Sequence, residues 1–337
     1  MPDEPDVKLI DVARKAGCSP ATVSRVLNHN AKVNTATREK VLQAAMDLAY
    51  VPNGSARSLR STKSRLAGAV IPTLDHAIYA TMVNSLQARL TENGVSLIIN
   101  TSSYDIDREY EQVRLLVERG VESVVLVGAA HRRETIALLE QRNIAYVFTY
   151  TAKPTDIGAA VGFDNEKAGR LAARHLIDLG HTRIAMLGGI TINNDRAVSR
   201  RDGFVAELRD NNLAPLGILE TPYQADGGHA GMKRLMLADT PPTAVFCASD
   251  IAAAGALKYC RQNDIAVPGT VSVLGFDNLD IGELTTPELT TIDVPAGEMG
   301  RIAADYLLAP AAQRQHMRIR ELPLRLVVRG STAALLR

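Results

Sequence analysis

The feature that most constrains the fold of this 337-residue chain is an alternation, from Leu66 onward, of short apolar runs and longer segments with helical periodicity. The runs predict strands over Leu66–Ile71, Val95–Ile99, Ser123–Val127, Tyr146–Thr149, Arg183–Leu187, Thr243–Phe246 and Val271–Leu274. Helical patterns lie between them, for example over Thr81–Glu92, Arg108–Glu118, Lys167–Leu179, Ser199–Asn211 and Ile251–Gln262. Buried parallel strands are continuous apolar runs, and helices between them make βαβ units. The units are too many for one small sheet, so we expect an α/β body of two similar lobes with a cleft between them.

Polar residues follow several of these predicted strands. Ligands of parallel α/β sheets bind outside the carboxyl ends of the strands. We therefore expect a ligand cleft lined from the segments around Asp75, Gly128–His131, Gly188–Asn194, Ser249-Asp250 and Asp277-Asn278. The purely structural alternative for Asp250 is that it caps the N-terminus of a helix.

The first 52 residues carry a different pattern, that of three short helices. A first amphipathic helix stops at Gly17, and Ser19-Pro20 reads as the cap and first position of a second. Thr35 is predicted to cap the third helix. Two short helices joined by a three-residue turn that contains Gly are typical of a helix-turn-helix.

Charge distinguishes this head from the rest of the chain. Residues 8–65 hold eleven Lys and Arg against three acidic residues, a net charge of +8, so the remaining residues sum to −7 because the whole chain carries +1. A basic head on an acidic body favours nucleic-acid binding. The alternatives are a solvated basic face and a three-helix bundle with no DNA role.

The second helix of such a head enters the major groove with its N-terminal residues towards the bases. Pro20, Ala21 and Arg25 are expected to face the bases, since Arg is shaped for bidentate contact with guanine. Phosphate contacts are expected from the short polar side chains Thr22, Ser24 and Asn28.

Other function classes find little support in the sequence. No phosphate-cradling glycine loop, HExxH or GxSxG pattern occurs, so neither an enzyme nor a cofactor is expected. The three cysteines include no CxxC pair, which argues against a metal site and for a reducing compartment. The acidic N-terminus lacks a signal-peptide core and no run approaches about 18 apolar residues, so a cytoplasmic protein is expected. A plain exported solute-binding protein is the remaining alternative, and the basic head disfavours it.

Long ungapped segments resemble the lactose-repressor (LacI) family of bacterial regulators. The segments are Leu9–Asn28 (LIDVARKAGCSPATVSRVLN), Thr37–Val41 (TREKV), Tyr50–Leu59 (YVPNGSARSL), Gly180–Ile184 (GHTRI), Arg200–Phe204 (RRDGF) and Val271–Asn278 (VSVLGFDN). The resemblance implies a helix-turn-helix head and a two-lobed body like the periplasmic sugar-binding proteins. It also implies a dimer that binds a palindromic DNA operator and a small-molecule effector.

The resemblance further implies a hinge helix that folds on DNA. Asn53, Ala56, Arg57 and Leu59 match its DNA-contacting positions, and Leu59 matches a residue that wedges into a base step from the minor groove. The purely structural alternative is that Leu59 is a hydrophobic residue of the linker with no contact to DNA. By position, the effector-contacting residues would be Tyr79, Asn194, Arg196, Arg200, Tyr223, Ser249 and Asp277.

Arg196 and Arg200 place two cations near the expected effector, which suggests a sugar acid or sugar phosphate rather than a neutral sugar. The expected domains are 1–52 (helix-turn-helix), 53–65 (hinge and linker) and 66–337 (effector binding). Within the last, an N-lobe would take about 66–162 and 294–320, and a C-lobe about 163–293 and 321–337. No leucine heptads follow the last apolar run, Leu322–Val328, which favours a homodimer over a tetramer.

Overall fold

A computed structural model describes residues 7–27, 33–51, 64–152 and 158–335 and divides the chain into two compact units, 1–64 and 65–337. Each unit is considered by itself. Within the described ranges, every helix is too short or too polar to cross a bilayer.

The first unit is built from three short helices. They are α1 Leu9–Ala16, α2 Pro20–Leu27 and α3 Thr35–Asp47. Their apolar faces meet in a small core around Val12, Val23, Val26 and Val41, each at most 1% exposed. Gly17 ends α1 in the left-handed conformation, φ +64°, which a residue without a β-carbon adopts at little cost. The predicted helix, glycine turn and second helix are thus confirmed.

The caps of α2 and α3 differ in how well they were predicted. The Ser19 hydroxyl accepts a hydrogen bond from the Thr22 backbone N–H at 3.2 Å, as expected of the residue before α2. The prediction that Thr35 caps α3 is wrong. Asn34 is the cap, because its extended backbone lets its side-chain oxygen accept from the Thr37 N–H at 2.8 Å, and Thr35 is the first helical residue.

The second unit alternates strands and helices. In chain order they are β1 Leu66–Ile71, α4 Ala77–Glu92, β2 Ser96–Thr101, α5 Ile106–Glu118, β3 Ser123–Val127, α6 Arg133–Gln141, β4 Ala145–Thr149, β5 Ala159–Gly162, α7 Asn165–Asp178, β6 Ile184–Gly188, α8 Asp195–Asp210, β7 Gly217–Glu220, α9 Ala225–Met236, β8 Ala244–Cys247, α10 Asp250–Gln262, β9 Ser272–Leu274, β10 Thr291–Asp293, α11 Ala296–Leu308, α12 Ala311–Arg314, β11 Ile319–Glu321 and β12 Arg325–Val327. All seven predicted strands are present within two residues of their expected ends.

The strands form two parallel sheets, which confirms the two-lobed α/β body. The first lobe holds the order β2-β1-β3-β4-β5-β11, and the second holds β7-β6-β8-β9. An antiparallel pair, β10-β12, completes the described strands. The cores are aliphatic, with a few phenylalanines, as the aromatic content of 4% requires.

Helices α7 and α8 cross with their backbones in contact. A β-carbon at Gly169 would overlap the carbonyl oxygen of Arg200, and one at Gly203 would overlap the carbonyl oxygen of Glu166. Glycine is therefore the residue that fits at both points of the crossing. Because α8 carries Arg196 and Arg200, this contact fixes the backbone from which two predicted effector residues project.

Candidate functional site

A cleft of about 540 Å³ lies where the strands of both sheets end. Its lining residues follow the carboxyl ends of these strands, as parallel α/β architecture predicts. All seven predicted effector residues line it: Tyr79, Asn194, Arg196, Arg200, Tyr223, Ser249 and Asp277. The structure thus brings the predicted set together, while their role in binding an effector stays a prediction.

Sequence reasoning missed five aromatic residues of the cleft. They are His76, Tyr104, Tyr150, Phe163 and Phe276. Each lies within five residues of the end of a strand, which was the only signal available. The two phenylalanines were indistinguishable from core residues, and both are 1% exposed.

Several ring pairs of the cleft pack edge to face. His76 lies 5.5 Å from Tyr223 and Tyr79 lies 5.1 Å from Tyr150, both between ring centroids and both close to perpendicular. The hydroxyls of Tyr79 and Tyr104 are 3.4 Å apart. Burial lowers the pKa of His76 and raises that of Tyr104, so both are neutral near pH 7. The cleft therefore offers ring surfaces together with uncharged hydrogen-bonding groups.

Arg200 is the most firmly held cation of the cleft. Its Nη2 donates to Asn165 Oδ1 at 2.8 Å, and its Nη1 donates to the Ala248 carbonyl at 3.2 Å. The guanidinium carbon stands 3.7 Å from the centroid of the Phe276 ring, a cation–π contact. Its Nε is buried and has no acceptor within the described part of the chain. An unpaired buried donor is costly, so this one is suited to an acceptor supplied by a ligand.

Asn194 and Arg196 lie at the start of α8. The Asn194 side chain caps the helix by accepting from the Ala197 N–H at 3.3 Å. Arg196 is 6% exposed, and its Nη1 donates to the Val127 carbonyl of the first lobe at 2.9 Å. The adjacent Asp195 accepts from the Ala129 N–H, also in the first lobe, at 3.1 Å. The first turn of α8 thus both lines the cleft and joins the lobes.

Two carboxyl groups flank the cleft from the second lobe. Burial raises the pKa of Asp277 well above its usual range, with a further contribution from Asp250, and Arg200 opposes the shift. Asp250 is fully buried, and burial raises its pKa to about 6. It was expected to cap α10, which is wrong: Ser249 is the cap, accepting from the Ile251 N–H at 3.2 Å, and Asp250 is the first helical residue.

The Asp250 carboxyl instead ties together two chain segments beside the cleft. It accepts from the Thr291 hydroxyl at 2.6 Å and from the Leu279 N–H at 2.7 Å. Leu279 lines the cleft two residues after Asp277. This carboxyl therefore positions the cleft-lining segment that carries Asp277. Among the described residues, no cluster of His, Cys, Asp and Glu could hold a metal ion.

The head presents the predicted base-facing residues on one surface of α2. Pro20, Ala21 and Arg25 are exposed, and Thr22 and Ser24 are half-buried. This arrangement leaves Arg25 as the long cationic side chain of the exposed face of α2. The other predicted DNA-contacting residues, Asn28, Asn53, Ala56, Arg57 and Leu59, lie outside the described residues.

Comparisons with known proteins identify the family. The model for "Bacterial regulatory proteins, lacI family" matches residues 8–53, and that for "Periplasmic binding protein-like domain" matches residues 173–332. The chain is 31% identical over 330 residues to the transcriptional repressor PurR of Vibrio parahaemolyticus, covering 96% of this chain and 98% of the relative. The chain belongs to the lacI family. This lacI-family protein is also 31% identical to the repressor CytR of Escherichia coli K12, with 96% of each chain covered.

Solved structures agree with this assignment. The lac repressor dimer bound to operator and the anti-inducer ONPF matches with a TM-score of 0.85 at 28% identity, covering 97% of this chain and 99% of that one. A LacI-family regulator from Silicibacter pomeroyi matches with a TM-score of 0.86 at 25% identity, again covering 97% and 99%. The lacI-family protein is a DNA-binding transcriptional regulator and not an enzyme.

Proposed function

We propose that this protein is a repressor that binds a palindromic operator as a homodimer and responds to a small sugar-type effector in the cleft. Residues 1–52 would read the operator, 53–65 would form the hinge, and 66–337 would bind the effector. The lac repressor neighbour, a dimer on its operator, supports the assembly. A two-fold dimer matches the symmetry of a palindrome.

The proposed control is a shift between two arrangements of the lobes. An effector in a cleft lined from both lobes binds the two arrangements with different affinity, because its contacts change when the lobes move. It can shift the balance only by that difference in affinity. The change in lobe arrangement would move the two heads of the dimer into or out of operator register.

The effector class rests on Arg200. Its buried Nε lacks an acceptor among the described residues, and Arg196 lies one helical turn away on the same face of α8. The start of α8 adds a partial positive charge to this wall of the cleft. We therefore favour a sugar acid or a sugar phosphate over a neutral sugar. The solved complex of the regulator CelR with cellobiose, which matches with a TM-score of 0.70 at 28% identity, supports a carbohydrate as the ligand class.

A nucleoside is the second candidate. Seven aromatic side chains line the cleft: His76, Tyr79, Tyr104, Tyr150, Phe163, Tyr223 and Phe276. Flat rings stack on nucleobases as well as on sugar faces. The two candidates differ in charge, since a nucleoside carries no acidic group.

Isothermal titration with matched ligands separates these classes. Glucose, gluconate, glucose 6-phosphate, the galactose counterparts and the common nucleosides would each be titrated into the full-length protein. We expect an acidic sugar to bind at least about tenfold more tightly than its neutral parent, the scale of one charge-assisted hydrogen bond. Equal affinity for a sugar and its acid would refute the acidic class, and binding of nucleosides alone would favour the second candidate.

Two variants on the same helix make the test specific to the cleft. Arg200→Ala removes the buried cation, and Arg201→Ala removes its half-buried neighbour, which pairs with Asp202 at 2.8 Å. Ligand binding should be lost in the first and retained in the second. Arg200→Lys keeps the charge without the planar geometry and should recover part of the affinity if the ligand is an anion.

A further inference from the structure

The segment 127–129 after β3 is the point at which the first lobe contacts the start of α8. Arg196 Nη1 donates to the Val127 carbonyl at 2.9 Å, and Asp195 Oδ2 accepts from the Ala129 N–H at 3.1 Å. Gly128 between them has φ +85°, and a β-carbon there would overlap Arg196 Nη1. Side chains of the second lobe therefore hold the first lobe by its backbone. We call these two contacts the interlobe latch.

A buried histidine supports this segment from the first lobe. His131 Nε2 lies 3.0 Å from the Gly128 carbonyl oxygen, and His131 Nδ1 lies 2.7 Å from Glu109 Oε1. The side chains of His131 and Glu109 are 1% and 7% exposed. The His131 ring stacks on Phe148 with centroids 4.8 Å apart, which fixes the plane of the imidazole.

Both hydrogen bonds of His131 require one proton more than neutral histidine and ionised glutamate hold together. A carbonyl and a carboxylate only accept, whereas neutral imidazole has a single N–H. Both bonds form when the pair carries the extra proton, either as imidazolium with carboxylate or as imidazole with carboxylic acid. Without that proton, the remaining N–H favours the charged carboxylate, and the Gly128 carbonyl faces a nitrogen lone pair.

We propose that Asp195 and Arg196 hold the lobes closed through segment 127–129, and that the buried Glu109–His131 pair sets the strength of this latch by gaining or losing one proton. The Gly128 carbonyl is bonded in the protonated state and released in the deprotonated state. Closure of the lobes therefore weakens when the pair loses this proton. A regulatory role for the latch rests on the proposed function of the cleft as an effector site. The latch contacts themselves do not depend on that proposal.

The charged groups around the Glu109–His131 pair are already paired, so the pair itself is the group that gains or loses the proton. Charged groups near His131 and its contact segment come from α5, from α8 and from the residue that follows His131: Asp105, Glu109, Asp195, Arg196 and Arg132. Arg132 is neutralised by Asp107 at 2.7 Å, Asp105 is bound to its own helix start, and β4 contributes the uncharged Phe148. Glu109 and Arg196 both line a small second pocket, which shares Tyr104 and Arg196 with the cleft.

The distance between the lobes is the direct test, and it needs no effector. Spin labels would be placed at exposed positions of each lobe with Arg133→Cys and Asp226→Cys, in a Cys18→Ser background. Cys247 and Cys260 are buried and burial raises the pKa of both thiols, so they do not react. Electron–electron double resonance would then be recorded on full-length protein at pH 6.0 and 8.5, diluted with unlabelled chains.

Three variants give distinct expectations. In the protein with both latch contacts intact, the ratio of the open population to the closed population should rise roughly tenfold from pH 6.0 to 8.5. This is the effect expected from losing a charge-assisted contact. Asp195→Ala should be open at both pH values. Glu109→Gln should be closed at both, because the glutamine amide donates to Nδ1 and leaves the Nε2 proton for Gly128. Asp202→Ala, on the exposed face of the same helix, should behave as the unmodified protein.

A purely structural role for the pair would give the opposite result in Glu109→Gln, namely opening or unfolding at both pH values. That result, or an interlobe distance independent of pH in the unmodified protein, overturns the proposal. If Glu109→Gln does not fold, His131→Gln serves instead: it should lose the pH dependence, and a retained pH dependence refutes the role of the pair. Since no ligand is present, failure to find an effector leaves this outcome unaffected.

Discussion

Replacing Asp250 by Asn should stabilise the protein near neutral pH and make no difference in acid. Asp250 is fully buried, and burial raises its pKa from 3.8 to about 6. The unfolded chain therefore ionises this carboxyl about two pH units before the folded chain does. Each unit corresponds to about 1.4 kcal/mol, so ionised Asp250 lowers the free energy of unfolding by about 3 kcal/mol above pH 6.

The sign follows from the proton balance. Between pH 3.8 and about 6 the folded state binds more protons than the unfolded state at this site, so stability falls as the pH rises through that window. Asn keeps the hydrogen bonds that Asp250 makes. Its oxygen can accept from the Leu279 N–H, and its amide can donate to the Thr291 hydroxyl, which reverses the 2.6 Å bond. The substitution thus removes the charge, and the Thr291 hydroxyl hydrogen loses its acceptor as it also does when the Asp250 carboxyl is protonated and donates to Thr291.

Urea denaturation followed by circular dichroism at several pH values between 4 and 8 measures this effect, at one fixed protein concentration. The difference between Asp250→Asn and the original protein should be near zero at pH 4 and rise to about 3 kcal/mol by pH 7.5. The difference also includes the relief of Asp277, whose pKa the Asp250 carboxylate helps to raise. A difference that does not vary with pH, or a variant less stable throughout, would refute the assigned charge state.

Further predictions concern the head, the hinge and the helix crossing. Arg25→Ala should abolish discrimination between operator and random DNA in gel-shift competition, whereas Arg14→Ala, exposed on α1, should retain it. Leu59→Ala should weaken specific binding more than nonspecific binding in the same assay. Gly203→Ala should lower the free energy of unfolding by about 2 kcal/mol or more because its β-carbon meets backbone. Gly217→Ala, whose nearest contact would be 3.7 Å away, should change it little, and equal losses in the two would contradict the crossing geometry.

The sequence predicted those parts of the fold that are long or strongly apolar. Strands β1 and β3 have the predicted ends, because nearly all of their residues are buried and apolar. Strands β7 and β11 were missed since they are short and only partly buried or exposed, so their pattern did not differ from that of loops. They are strands because they pair with neighbours distant in the chain, as β11 does with β5. Pairing of this kind leaves no local signal.

Individual cleft residues were predicted where their positions matched those of the family that the chain resembles. Arg200 is one of these, and the structure supplies Asn165 and Phe276 as partners of its buried guanidinium. Those partners were not predictable, since an amide at a helix start and a phenylalanine after a strand are ordinary features. Asp195 was overlooked for the same reason: its bond to the first lobe depends on the fold of both lobes.

The crossing of α7 and α8 has a consequence for how such a protein changes over evolutionary time. With the two backbones in contact at Gly169 and Gly203, the backbone from which Arg200 projects is positioned by the crossing and not by the Arg200 side chain. New ligand preferences can then arise by exchanging this side chain on an unchanged backbone, whereas Asn194 and Arg196 are also bound to the helix start and to the first lobe. The same contact allows only glycine at these two positions. Amino-acid replacement should therefore be frequent at residues that contact the ligand and nearly absent at the two glycines.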